Sequence, residues 1–289
     1  MLDLNNPQPG IYFDVSDIDY HKSNAISKST LDLVDKSAAL AKWQQSAPVD
    51  DENSDSLDFG KAFHCALLEP ERYAKEYITE PKLDRRTKEG KAKAAEFAES
   101  AKGKVIVTHD EARKIKLMVG SVMAHPDAAA ILGLDGGVTE ASIFWKDPET
   151  GLMCRIRPDW MNEQHNIILD VKTCGDIEGS FKSFIGSVSE YGYHKQDSYY
   201  TDGYEAHFGK KPLFVFLVVS TSIECGRYPV RVFMLDEQDK HDGRSEYRLS
   251  LNKYAHHLKS GNWHEIETIE RPAWARKKTE QKLSLAEVA

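Results

Sequence analysis

The chain has 289 residues, 40% of them hydrophobic, so it can bury a full core as one large domain or as a core with helical additions. Its formal charge of −8 excludes a surface coated in basic residues for nucleic acid, though not a cationic groove. No run of about 18 apolar residues and no basic-then-apolar N-terminal signal occurs, so a cytoplasmic protein is expected. Four cysteines (Cys65, Cys154, Cys174, Cys225) lie far apart without a C-x-x-C pair, which argues against a zinc knuckle, an iron–sulfur cluster or a disulfide framework.

Residues 1–26 are turn-rich, with Pro7, Pro9 and Gly10, and are expected to be irregular. Ser29 reads as the N-cap of a helix running to about Gln45, with Leu31, Val34 and Leu40 towards the core. Residues 50–55 form an acidic loop, and 57–68 a second helix. On that helix Gly60-x-x-x-His64 puts glycine and histidine on one face, one turn apart. Glycine permits close approach of something large. The imidazole is either a metal ligand or an ordinary hydrogen-bonded helix histidine.

The densest basic segment, residues 82–93, leads into a helix ending near Ala101. Arg85, Arg86 and Lys88 either grip phosphates or form a solvated helix entrance. A helix over 110–124 buries Ile115, Met118, Val119 and Val122, and a further turn covers 127–132. Residues 138–145 alternate as a strand that carries Glu140, either an additional acid near a metal or a plain strand-edge charge.

Two strands follow, 151–159 and 166–173, joined by a polar turn from Asn162 to His165. Alternation puts Asp170 and Lys172 on one face and Ile167, Leu169 and Val171 on the other. Arg155, Arg157 and Asp159 likewise share a face. A hairpin brings Asp159 close to Asp170, with Lys172 beside them. Paired carboxylates repel, and a divalent cation is the usual way to neutralise them. A neighbouring lysine can then orient a water and offset charge on a phosphate. The plainer reading is the charged face of a surface hairpin.

A helix is expected over 177–185, and a longer one over 190–208 with Tyr193, Gln196, Tyr200 and Tyr204 on one stripe. An amide there needs a partner if buried. Residues 213–220 are continuously apolar, so they form a strand buried on both faces, with 228–235 beside it. An amphipathic helix over 237–259 completes a domain spanning 27–264, and 265–289 reads as a flexible tail.

The ordered set Gly60-x-x-x-His64, Pro158-Asp159, Asp170-x-Lys172 and Gln196-x-x-x-Tyr200 resembles the RecB-like branch of PD-(D/E)xK nucleases, and within it the RecE-type exodeoxyribonuclease VIII domains. The resemblance covers residues 27 to about 259. It implies an α/β restriction-endonuclease-like core, with a central mixed β-sheet flanked by helices and an N-terminal helical addition. It also implies that His64, Asp159, Asp170 and the Val171 carbonyl bind Mg²⁺, for which Mn²⁺ may substitute, with Lys172 catalytic. Gln196 and Tyr200 would steady the DNA strand or the lysine. The activity implied is resection of linear duplex DNA from 5′ ends to leave 3′ tails, by a ring-shaped homo-oligomer, for a single-strand annealing protein of RecT type. A PD-(D/E)xK endonuclease and a non-catalytic DNA-end-binding module are the alternatives.

Overall fold

The computed structural model describes residues 3–48, 55–84, 86–175, 181–264, 266 and 268–287. In chain order the elements are β1 (Gly10–Tyr12), α1 (Asp17–Lys22), α2 (Lys28–Lys36), α3 (Ala38–Gln44), α4 (Asp55–Leu68), α5 (Pro70–Glu76), β2 (Tyr77–Thr79), α6 (Lys88–Ser100), β3 (Val105–Val107), α7 (His109–Ala124) and α8 (Pro126–Leu132). Then come β4 (Gly137–Thr139), β5 (Ser142–Lys146), β6 (Met153–Ile156), β7 (Trp160–Asn162), β8 (Ile167–Cys174), α9 (Lys182–Glu190), α10 (Tyr193–Phe208), β9 (Leu213–Ser220), β10 (Val230–Phe233), α11 (Glu237–Ser260) and α12 (Ala273–Glu287).

The central sheet has five strands in the order β10-β9-β8-β7-β4. Only β8 and β9 run parallel, joined through α9 and α10, so the sheet is mixed, as the resemblance implies. Its two faces bury separate clusters. Ile168, Phe216 and Val218 pack with Tyr199, Tyr247 and Leu251 from α10 and α11. Leu169, Val171, Leu217 and Val219 pack with Phe63, Ile115, Met118 and Val122 from α4 and α7. Each such side chain removed from water contributes about 1.5–3 kcal/mol. The two faces thus fix the register of β8, because a slip of one residue would exchange them.

Several expected elements are divided, each at an identifiable residue. The helix expected from Ser29 is capped two residues earlier, with Ser27 as the N-cap of α2, and breaks at Ser37, whose side chain caps α3. The strand expected over 138–145 becomes β4 and β5, broken at Glu140, which takes a left-handed φ of 51°. Of the strand expected over 151–159 only β6 forms; beyond Pro158 the chain enters β7, in a different sheet, which runs on to Asn162 where the turn is expected to begin. Proline has no N–H for a ladder, so pairing stops at Pro158. The Arg155–Asp159 face is divided with it. The described part of 1–26 is not wholly irregular: β1 pairs with β5, and Ser16 caps α1. Within 265–289, α12 is helical. Most of the acidic run and residues 176–180 of the expected 177–185 helix lie outside the described residues.

Among the described residues no single helix is long and apolar enough to cross a membrane. The bent pair α7 and α8 has the length, but turns by 92° and buries Ile115, Met118, Val122 and Ala128 in the core. All four cysteines are free thiols.

Helices α10 and α11 touch so closely that a Cβ at Gly243 would lie 2.1 Å from the His194 carbonyl oxygen. Beside this contact Asp197 is 1% exposed, and its Oδ2 lacks a hydrogen-bond partner. Burial pushes its carboxyl up to about 6, against the pull of Lys240 and the Thr201 hydroxyl. The unfolded chain ionises this group near 3.9, so folding stability falls as pH rises from about 4 to about 6, and the cost persists above that. Asp197→Asn should therefore stabilise the fold at pH 7 by on the order of 1–3 kcal/mol and have little effect at pH 4, measured by urea unfolding. Equal effects at both pH values would contradict the burial cost. Gly243→Ala should cost about 2–4 kcal/mol in the same assay, because backbone would have to move.

Candidate active site

The hairpin of β7 and β8 builds the site. Trp160 pairs with Leu169, so Asp159, just before β7, falls opposite Asp170. There the ladder ends, and the Asp159 side chain replaces the missing backbone partner: Val171 N–H donates to its Oδ2 at 2.7 Å. On the helical side, α4 brings His64 Nδ1 to 3.6 Å from the same Oδ2. A Cβ at Gly60, one turn earlier, would meet no protein atom within 4 Å, so the helix face leading to His64 is open.

Asp170 projects from the opposite face of β8 and is 2% exposed. Its Oδ1 accepts from Gln196 Nε2 at 2.6 Å, which gives the amide on the α10 stripe the partner it requires. Its Oδ2 lies 2.6 Å from Lys172 Nζ as an ion pair, and no hydrogen bond of proper geometry reaches that oxygen. Lys172 Nζ also stands 4.7 Å over the Tyr193 ring. Taking a carboxylate out of water costs several kcal/mol, and Lys172 and Gln196 offset that cost here.

Burial raises the Asp170 carboxyl, the Asp159 charge adds to the rise, and Lys172 opposes it. Burial acts against the Lys172 ammonium too, but the Asp170 and Asp159 carboxylates outweigh it and hold the amine above the ordinary lysine range. Lys172 is thus a charged partner of the acids, suited to orienting rather than accepting a proton. Glu140 is pushed up to about 8, by burial first and by Asp159 second, and its N–H donates to the Asp159 carbonyl at 3.2 Å. The left-handed break in the expected strand therefore sets an acid beside Asp159. Burial holds the Tyr200 phenol well above its usual value, within the fields of Tyr20, Asp170, Asp159 and Glu140.

The structure thus brings together His64, Asp159, Asp170, Val171, Lys172, Gln196 and Tyr200. It does not bring in the basic segment. Arg86 and Lys88 are exposed at the start of α6, with no ion pair or hydrogen bond to these residues, and Arg85 lies outside the described residues. Two supports were not read from the sequence. Tyr193 lies on the expected stripe, but no local pattern puts its ring under the lysine. Arg157 is buried, bonding Asp17 Oδ1 at 2.8 Å, the Val15 carbonyl at 2.9 Å and Ser142 Oγ, with its guanidinium 4.1 Å over Tyr20. The only hint was its place two residues before Asp159.

Fold and site together define a protein with a PD-(D/E)xK nuclease fold. The chain belongs to the PDDEXK-like domain of unknown function DUF3799, whose family model matches residues 27–269. No curated protein matches. Among solved structures it is similar to a protein from Eubacterium rectale provisionally named an exonuclease. That match has 11% identity and a TM-score of 0.57, and covers 90% of this chain and 96% of the other. At that identity the likeness shows the fold.

Gln196→Ala removes the donor to a buried carboxylate oxygen, and should lower unfolding stability by about 1–3 kcal/mol. Gln196→Glu, which adds a third negative charge, should lower it further. Two variants as stable as the wild type in denaturant titration would contradict this bond.

Proposed function

We propose that this chain is a divalent-cation-dependent exodeoxyribonuclease that degrades linear double-stranded DNA from 5′ ends. The observation that supports it most is the convergence of Asp159, Asp170 and Lys172 with His64 and Gln196 on one hairpin end. The fold is one that nucleases use, and the lysine is charged and held on the acids.

Among the described residues no three His, Cys, Asp or Glu side chains stand close enough to enclose a metal ion. The donor chemistry nonetheless fits a hard cation. Asp159 and His64 lie together at the strand end, and across the hairpin Asp170 Oδ2 is a buried oxygen held by Lys172 alone. Asp159, Asp170 and His64, with the Val171 carbonyl, would hold Mg²⁺ or Mn²⁺. When bound, such a cation supplies Lewis acidity toward phosphate and water. Lys172 orients the attacking water and offsets negative charge as it develops on the phosphate. Gln196 keeps Asp170 aimed, and Tyr200, protonated, borders the strand as a hydrogen-bond donor. The negative net charge favours tracking by enclosure over broad phosphate attraction, so we read the active form as a homo-oligomeric ring. The 3′ tails left behind would suit a single-strand annealing protein of RecT type.

Lys172→Ala should reduce turnover of linear duplex with Mg²⁺ by at least about a hundredfold while DNA binding persists. Unchanged turnover would remove the proposed centre. His64→Ala should raise the Mg²⁺ concentration for half-maximal rate. A fall in melting temperature alone, with that concentration fixed, would make His64 a core residue. Relaxed closed circles should survive amounts of enzyme that consume linear DNA. If circles are cut, the chain is an endonuclease.

A further inference from the structure

Beside the acids lies a cavity of about 700 Å³, walled by Val138, Glu140, Arg157, Glu69 and Asp17, with Phe13 at its rim. It adjoins Asp159 twice over. Arg157 stands two residues before it, and the Glu140 N–H bonds its carbonyl at 3.2 Å. Its walls are mainly acidic, and the two guanidiniums there are already engaged. Arg72 pairs with Glu69 and Glu76, and Arg157 with Asp17. A phosphate would meet repulsion here. A neutral group with N–H donors and a flat apolar face would not.

Phe13 supplies the matching surface. It is 55% exposed, and among the described cavity-lining residues it is the one large apolar side chain left so open. Nor is it a loose end. Tyr12, before it, pairs with Ser142 and packs edge-on against Phe144 at 5.5 Å. Val15, two residues after it, has its carbonyl held by Arg157 at 2.9 Å. Between them Asp14 takes a left-handed φ of 58°, a conformation that carries an energetic cost for a residue other than glycine. A rigid frame anchored to the Asp159 strand end thus displays an aromatic ring that no core cluster uses.

From this geometry we infer that Phe13 is a substrate-binding residue that stacks on a nucleobase at the DNA end and seats it against the acid-lined cavity beside Asp159. Every base offers an aromatic face, so the contact is indifferent to sequence, as end-processing requires. Carboxyl groups on the walls accept base N–H groups and turn away phosphates, which leaves the backbone for the Lys172 side of the site. The inference rests on the nuclease reading above.

The test uses the full chain with Mg²⁺ and linear duplexes whose two terminal nucleotides on each strand are either intact or abasic. On intact ends Phe13→Ala and Phe13→Leu should raise KM about tenfold with kcat kept, the size expected for one lost base stack, and Phe13→Tyr should restore it. On abasic ends all four proteins should give the same KM. The leucine variant keeps apolar bulk, so a fold defect confined to the alanine variant leaves the comparison intact. Equal KM values on intact ends, or a penalty that persists on abasic ends, would overturn the inference alone. A wild type that degrades neither duplex would overturn the nuclease reading, and this inference with it.

Discussion

The hydrogen bond from Val171 N–H to Asp159 Oδ2 is the joint on which the site depends. It forms just past the end of the β7–β8 ladder at Trp160 and Leu169, where a carboxylate accepts the Val171 N–H. That bond places one acid at the strand end facing α4, while Asp170, one residue before Val171, faces α10. The two acids come from opposing positions of a hairpin whose register is held by apolar side chains on both faces. Register is therefore a functional constraint as well as a packing one: slipped by one residue, β8 would aim Asp170 and Lys172 into the cluster under α4 and α7.

Charge then sets what the hairpin must recruit. A buried Asp170 beside a second acid is costly, and three neighbours meet that cost in different ways. Lys172 supplies an opposite charge, Gln196 a directed N–H, and Tyr193 a π-face beneath the ammonium. The same need explains a glutamine amid tyrosines on α10. What remains is one carboxylate oxygen without a hydrogen bond, an acid at Glu140 that burial keeps protonated to about pH 8, and an imidazole facing Asp159. The region is short of positive charge, and a divalent cation is the economical remedy.

Most of this centre was legible in the sequence because its signals are local. Strand alternation alone places Asp170 with Lys172, and helical spacing places Gln196 with Tyr200 and Gly60 with His64. The central sheet was legible for the same reason, since β9 is continuously apolar and β7 and β8 flank a polar turn. What could not be read depends on contacts far apart in the chain. The Arg157 clamp on Val15 and Asp17 spans 142 and 140 positions, and only the fold shows it. Glu140 sits in an alternating run that looks like one strand, because a positive φ at a glutamate has no sequence signature. Ser37 divides a helix whose apolar spacing is continuous, since a cap and an interior serine look alike in a window. The basic segment is a different case: its composition suits phosphate, but composition does not say where a helix start lies relative to the acids, and Arg86 and Lys88 stand exposed at that start.

The most direct test is binding of Mn²⁺ by the wild-type chain without DNA, measured by isothermal titration calorimetry and compared with Asp159→Asn and Asp170→Asn. The paired-carboxylate account predicts saturable binding by the wild type that weakens at least about tenfold in each variant, since each removes one charged oxygen ligand. Equal affinity in all three proteins, or no binding by the wild type, would contradict it.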